Sequence, residues 1–127
     1  MNMFDDCLTE VVIVTGAVAA GGAVRVDWPD PLPMTELWEV LNATIWHDDS
    51  VPLTGHWELG DGAATVQCGD DIVVAVGARE PLYTVEFPRG VTLSLLANTL
   101  SFVVPVGATD GALLTLDIVG RVVRGIA

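Results

Sequence analysis

The fold is decided by the stretch Glu36-Leu37-Trp38-Glu39-Val40-Leu41-Asn42-Ala43-Thr44-Ile45-Trp46-His47. Successive side chains of a β-strand point to opposite faces, and here both faces are largely apolar. One face consists of Trp38, Val40, Asn42, Thr44 and Trp46. The other consists of Leu37, Leu41, Ala43 and Ile45, with Glu39 and His47. A strand with two apolar faces is covered on both sides, by a second sheet or by another subunit.

Each face of this strand carries its own prediction. We expect the face with the tryptophans to lie in the core, through Trp38, Val40 and Trp46. We expect the opposite face to contact another copy of the chain, through Leu37, Leu41 and Ile45. The predicted assembly is a homo-oligomer such as a trimer, because symmetric association covers apolar surface that one small domain leaves exposed.

Outward from this strand, short β-branched runs alternate with turn signals spaced about 8–12 residues apart. Gly60-Asp61-Gly62 predicts a hairpin turn. Gly69-Asp70-Asp71 predicts another turn, between strands at 63–68 and 72–77. The pattern predicts an all-β fold, a single antiparallel β-sandwich of the jelly-roll type with about eight to ten strands. We assign this domain to residues 9–127 and an amino-terminal arm to residues 1–8.

The charge balance excludes two kinds of partner. The 127 residues include 17 acidic side chains and 5 arginines but no lysine, which gives a net charge of −12. A phosphate backbone or an anionic membrane surface would repel such a chain, so we expect neither nucleic-acid nor membrane binding.

One local set of side chains has the chemistry of a metal site: His47, Asp48, Asp49 and His56. The two histidines would face each other if Trp46 and Trp57 lay on paired strands joined by a hairpin at Ser50. The competing interpretation is a polar loop that faces water. We favour the loop, and we predict no metal and no cofactor.

Signatures of catalysis are missing from the sequence. It contains no GxSxG motif, and neither Cys7 nor Cys68 lies in a nucleophile motif. The two cysteines would pair if the arm lay beside the strand that contains Cys68, but two buried free thiols are the favoured interpretation. We predict that the protein is not an enzyme.

Four segments, in order, resemble small phage virion β-sandwich proteins: Val26-Asp27-Trp28-Pro29, Trp38-Glu39-Val40, Pro88-Arg89-Gly90-Val91-Thr92-Leu93, and the alternating strand from Leu114 to Val123. The resemblance covers about residues 10–124. It implies a virion protein of a bacteriophage, either a capsid decoration (cement) protein or a small jelly-roll capsid protein. Its implied partners are further copies of itself and a capsid protein, and it implies no catalytic residues.

The four tryptophans, Trp28, Trp38, Trp46 and Trp57, allow an alternative function. Exposed indoles stack on sugar rings, which would suit a carbohydrate- or receptor-binding module. Core packing explains them better, because Trp28 and Trp38 continue apolar faces. The mean hydropathy of +0.54 is high for a soluble monomer of this charge and favours an assembled structural protein.

Overall fold

A computed structural model describes residues 10–28, 36–60, 64–82, 91–93 and 99–125, with the backbone alone at residues 10, 36–38, 91–93 and 122–125. These residues form nine strands: β1 (Glu10–Val18), β2 (Val24–Trp28), β3 (Glu36–His47), β4 (Leu53–Gly60), β5 (Thr65–Val74), β6 (Glu80–Pro81), β7 (Val91–Leu93), β8 (Thr99–Val104) and β9 (Leu113–Gly125). The predicted arm at residues 1–8 lies outside the described part. Within that part, no helix is long and apolar enough to cross a membrane.

The strands form two antiparallel sheets. In the first sheet the order is β1-β9-β3, and β6 and β7 both pair with β3 on its remaining side. The second sheet has the order β2-β8-β4-β5. Consecutive strands such as β1 and β2, or β3 and β4, therefore lie in different sheets, and the connections between them cross from one sheet to the other.

This strand order is that of a jelly roll. Taken together, β6 and β7 occupy one strand position, because they pair with successive parts of β3. The chain then folds as one long hairpin in which β1 pairs with β9, β2 with β8, β3 with β6–β7, and β4 with β5. Rolling up this hairpin places β9 beside β3 and β8 beside β4, which completes the two sheets. The predicted all-β sandwich is confirmed.

The core lies between the two sheets and is filled by alternate residues of facing strands. On β2, Val24, Val26 and Trp28 are buried, while Arg25 and Asp27 point outward, as the alternation in the sequence predicts. The two largest fully buried side chains are Trp57 of β4 and Phe102 of β8, and their ring centroids are 5.1 Å apart in an edge-to-face arrangement.

A β-bulge in β3 overturns the predicted assignment of its faces. The register with β9 shifts between Val40 and Asn42, which inserts Leu41 as an extra residue. A one-residue slip moves every later side chain to the opposite face. Val40 is therefore buried, but beyond the bulge Ile45 is buried and Trp46 is partly exposed.

Two predictions for this strand are thus wrong. Ile45, assigned to a subunit interface, is fully buried in the core of its own sandwich, and Trp46, assigned to the core, lies on the outer face. Leu41 is half-buried at the bulge. The side chains of Leu37 and Trp38 lie outside the described part, so their assignments stay predictions.

The predicted turn at Gly69-Asp70-Asp71 is also wrong. Strand β5 runs through these residues from Thr65 to Val74. The register with β4 shifts at this point, because Trp57 pairs with Cys68 whereas Gly55 pairs with Ile72. Gly69 adopts a left-handed φ of 75° there, so the glycine and aspartates that suggest a turn belong to an irregularity within one strand.

Candidate functional surfaces

The candidate metal ligands at the end of β3 make hydrogen bonds within the fold. The His47 ring is buried, and its Nε2 donates to the carbonyl of Val74, 2.9 Å away in the second sheet. Its Nδ1 accepts the backbone N–H of Asp49 at 3.0 Å, which fixes the Nε2–H tautomer. His47 therefore ties the end of the first sheet to the second and has no ring nitrogen left for a metal.

The two aspartates of the same loop accept hydrogen bonds from backbone N–H groups of residues 109 and 113. Asp49 is buried and accepts both the backbone N–H and the hydroxyl of Thr109, at 2.8 and 2.9 Å. The hydrogen bond from the Thr109 backbone outweighs desolvation and lowers the pKa of Asp49 below its ordinary 3.8. Asp48 accepts the N–H of Leu113 at 2.7 Å. Both carboxylates anchor this loop to the segment that leads into β9.

His56 lies elsewhere. The hairpin that would bring it to His47 does not form, because β3 and β4 belong to different sheets. His56 is on the outer face of the second sheet, where its Nε2 is 2.5 Å from a carboxylate oxygen of Glu58. Among the described residues, no group of three or more His, Cys, Asp or Glu side chains is arranged to hold a metal ion.

Around His56, a polar network extends across all four strands of the second sheet. Glu58 accepts from the guanidinium of Arg25 on β2 at 3.0 Å and from the hydroxyl of Thr65 on β5. Ser101 on β8 donates to Asp27 on β2. The sequence alone does not reveal this network, because the pairing of β2 with β8 and of β8 with β4 brings together residues that are far apart in the chain.

Glu58 is held as a carboxylate. Desolvation acts to raise its pKa, but the hydrogen bonds from Thr65, His56 and Arg25 together outweigh that effect and lower the pKa below its ordinary 4.5. A carboxylate stabilised in this way is a poor proton donor. The hydrogen bonds of this network join neighbouring strands and stabilise the outer face of the second sheet.

On the outer face of the first sheet, Trp46 forms a compact cluster with Asp117 and Arg79. The indole Nε1 donates to Asp117 at 3.2 Å, and Arg79 donates to the same carboxylate oxygen at 2.7 Å. The Arg79 guanidinium also lies over the indole ring, 4.8 Å from its centroid. On that side, the Arg79 side chain covers the face of the ring on which a sugar would stack.

The other tryptophans with described side chains are inaccessible. Trp28 and Trp57 are both buried in the core. Trp57 packs against Phe102, as described above. In the described part of the chain, Trp46 is the one indole that is not buried, and Arg79 covers one of its faces.

Exposed valines mark a further surface, on β1. Val12, Val14 and Val18 are 67%, 63% and 64% exposed, and they alternate along one face of the strand. The register with β9 places Val18 opposite Leu113, which is exposed as well. The alternation of short β-branched runs with turn signals is typical of strands such as β1, but it does not predict that β1 lies at the edge of a sheet.

Cys68 is half-buried on β5, whereas Cys7 lies outside the described residues. The predicted pairing state of these two cysteines stays a prediction.

The chain is a jelly-roll β-sandwich. Its outer faces carry hydrogen-bonded polar side chains, and apolar side chains are exposed on β1. No family model, no curated protein and no solved structure matches the chain.

Proposed function

We propose that this protein is a non-enzymatic structural component of a virus particle, a capsid decoration (cement) protein or a small jelly-roll capsid protein of a bacteriophage. The observation that carries the proposal is a jelly-roll sandwich with exposed apolar side chains on a strongly acidic chain. Jelly rolls build many viral shells, but they also occur in lectins and enzymes. The fold alone therefore does not decide the function, and the surfaces must do so.

The apolar surface supports an assembled state. Among the described side chains, nine valines and one leucine are exposed, and several of them cluster on β1 and along β5. A monomeric soluble protein seldom leaves such rows uncovered. Symmetric contacts between copies, or contacts with a shell of capsid protein, would bury them.

The distribution of polar partners supports a non-enzymatic role. The side chains with the best chemistry for catalysis or metal binding, His47, Asp49, His56 and Glu58, all have hydrogen-bond partners within the sandwich. These partners hold loops and neighbouring strands in place. The net charge of −12 also suits a protein on the outside of a particle, because it keeps the protein from adhering to the packaged genome.

The carbohydrate-binding alternative has less support. It depends on accessible tryptophans, and Trp28 and Trp57 are buried while Arg79 lies over Trp46. A binding assay on immobilised glycans would restore this alternative if it gave saturable binding that a Trp46→Ala variant lost.

The proposal is tested by locating the protein in particles. Virus particles from the source culture are banded on a density gradient, and the fractions are probed with an antibody against the chain. We expect the protein to band with the major capsid protein in a fixed stoichiometric ratio. Its confinement to soluble fractions, with none in the particle band, would contradict the proposal.

A further inference from the structure

Every open sheet has edges whose unpaired backbone groups invite another strand, and proteins usually protect them with charge, proline, bulges or short length. In the second sheet, β2 has only five residues and carries Arg25 and Asp27. The other edge, β5, is irregular at Gly69 and carries Asp70 and Asp71. In the first sheet, the edge strand β6 carries Pro81. Each of these three edges thus has at least one protecting feature among its described residues.

The fourth edge, β1, has none of these protections from Val11 to Val18. It is nine residues long and keeps an unbroken one-to-one register with β9 from Glu10 to Val18. It contains no proline, and residues 11–18 include no charged side chain. Among the described strands, β9 alone pairs with it. Within the described part of the chain, the opposite side of β1 therefore presents a long, regularly paired edge that is uncharged from Val11 to Val18 and flanked by exposed valines.

We propose that β1 pairs antiparallel with β1 of a second copy about a twofold axis near Val14, so that the first sheets of the two copies become continuous. This inference rests on the proposed function, because the pairing of two β1 strands is one of the contacts between copies that the proposed assembly requires. A twofold axis presents the same surface on both copies, so each β1 supplies the strand that the other lacks. Side chains that are equivalent across the axis lie side by side on one face of the joined sheet, which covers part of each valine row.

Charge argues for a second copy at this edge. Two chains of net charge −12 repel each other wherever their carboxylates meet. With the axis near Val14, residues 11–18 of the two copies meet without any charge. The two Glu10 positions then lie at opposite ends of the paired strands, about 27 Å apart at 3.4 Å per residue. That separation exceeds the screening length of roughly 8 Å at physiological salt.

The surface area that the contact buries indicates the affinity expected for the dimer. Two paired nine-residue strands bury less surface than the roughly 800 Å² per partner of a standard stable interface. We therefore expect a weak dimer in solution, with a dissociation constant in the micromolar range or above. Many such contacts act together once copies are arrayed on a particle.

The test compares two variants of matched chemistry. Val14→Lys puts a lysine on each side of the proposed axis, where like charges repel. Val73→Lys makes the same change at the edge of the second sheet, on a valine that is 57% exposed. Sedimentation velocity over a range of protein concentrations gives the dissociation constant. Val12→Lys serves as a second β1 variant if thermal melting shows that Val14→Lys does not fold.

We expect Val14→Lys to weaken dimerisation by at least tenfold and Val73→Lys to leave it unchanged. Dimerisation of the β1 variants at the wild-type strength would overturn β1 pairing, as would a wild-type chain that is monomeric in solution. The proposed function fails separately: it is contradicted if the protein is missing from particles, whatever the solution mass.

Discussion

Replacement of Trp57 by alanine tests whether this side chain lies in the core between the two sheets. Trp57 is 1% exposed and packs edge-to-face on Phe102. Its Nε1 has no hydrogen-bond partner among the described residues, so the variant loses packing alone. Removal of a buried aromatic side chain costs about 3–5 kcal/mol through lost burial and the cavity that remains. For a domain of this size, that cost lowers the melting temperature by roughly 10–20 °C.

Trp46→Ala is the matched control. Trp46 lies on the outer face and is partly exposed, so its removal costs part of its burial and one hydrogen bond to Asp117. We expect a loss of roughly 1–2 kcal/mol. Urea unfolding followed by circular dichroism measures both variants on the same scale. If Trp46→Ala proved as damaging as Trp57→Ala, or more so, the bulge and the resulting faces of β3 would be refuted.

Three further predictions concern single positions. A Cβ at Gly55 would lie 2.5 Å from both the Phe102 ring and the carbonyl oxygen of Val103, so we expect Gly55→Ala to lower the unfolding free energy by about 1–3 kcal/mol in urea titrations. Because the pKa of folded Glu58 lies below its ordinary 4.5, ionised Glu58 stabilises the folded state above that pH, and the contribution disappears as the pH falls through the folded-state pKa. The urea midpoint of Glu58→Gln should thus fall below that of the wild type at pH 7, and the difference should shrink in acid. A constant difference would contradict this role. We expect EDTA to leave the melting temperature unchanged, and a drop that zinc reverses in the wild type but not in His47→Ala would establish a metal site.

Local patterns in the sequence predict the class of fold, but they do not predict for every strand which face is buried. Alternation identifies the inward residues of β2 because that strand is regular. In β3 the same rule fails beyond Leu41, where the bulge reverses the faces. One signal for the bulge is present: the outward polar residues Glu39 and Asn42 are three positions apart rather than two. A prediction that assumes a strict period of two along the strand does not take this spacing into account.

The candidate surfaces depend on strand order, which is a property of the whole chain. His47 and His56 are close together in the sequence, which allows a hairpin between them as an alternative. The crossing of the chain from β3 to β4 between sheets separates them. The partners of Glu58, from Arg25 to Thr65, come together only when β8 inserts between β2 and β4. Likewise, the exposed edge of β1 exists because its neighbour is β9, the last strand of the chain.

The native mass of the purified chain over a range of concentrations is the most direct measurement of self-association. Sedimentation equilibrium should show a 13.4 kDa chain in reversible exchange with a dimer or larger species, whose fraction grows with concentration. The exposed valines of β1 predict this result. A single species of 13.4 kDa at every concentration would contradict self-association through that edge.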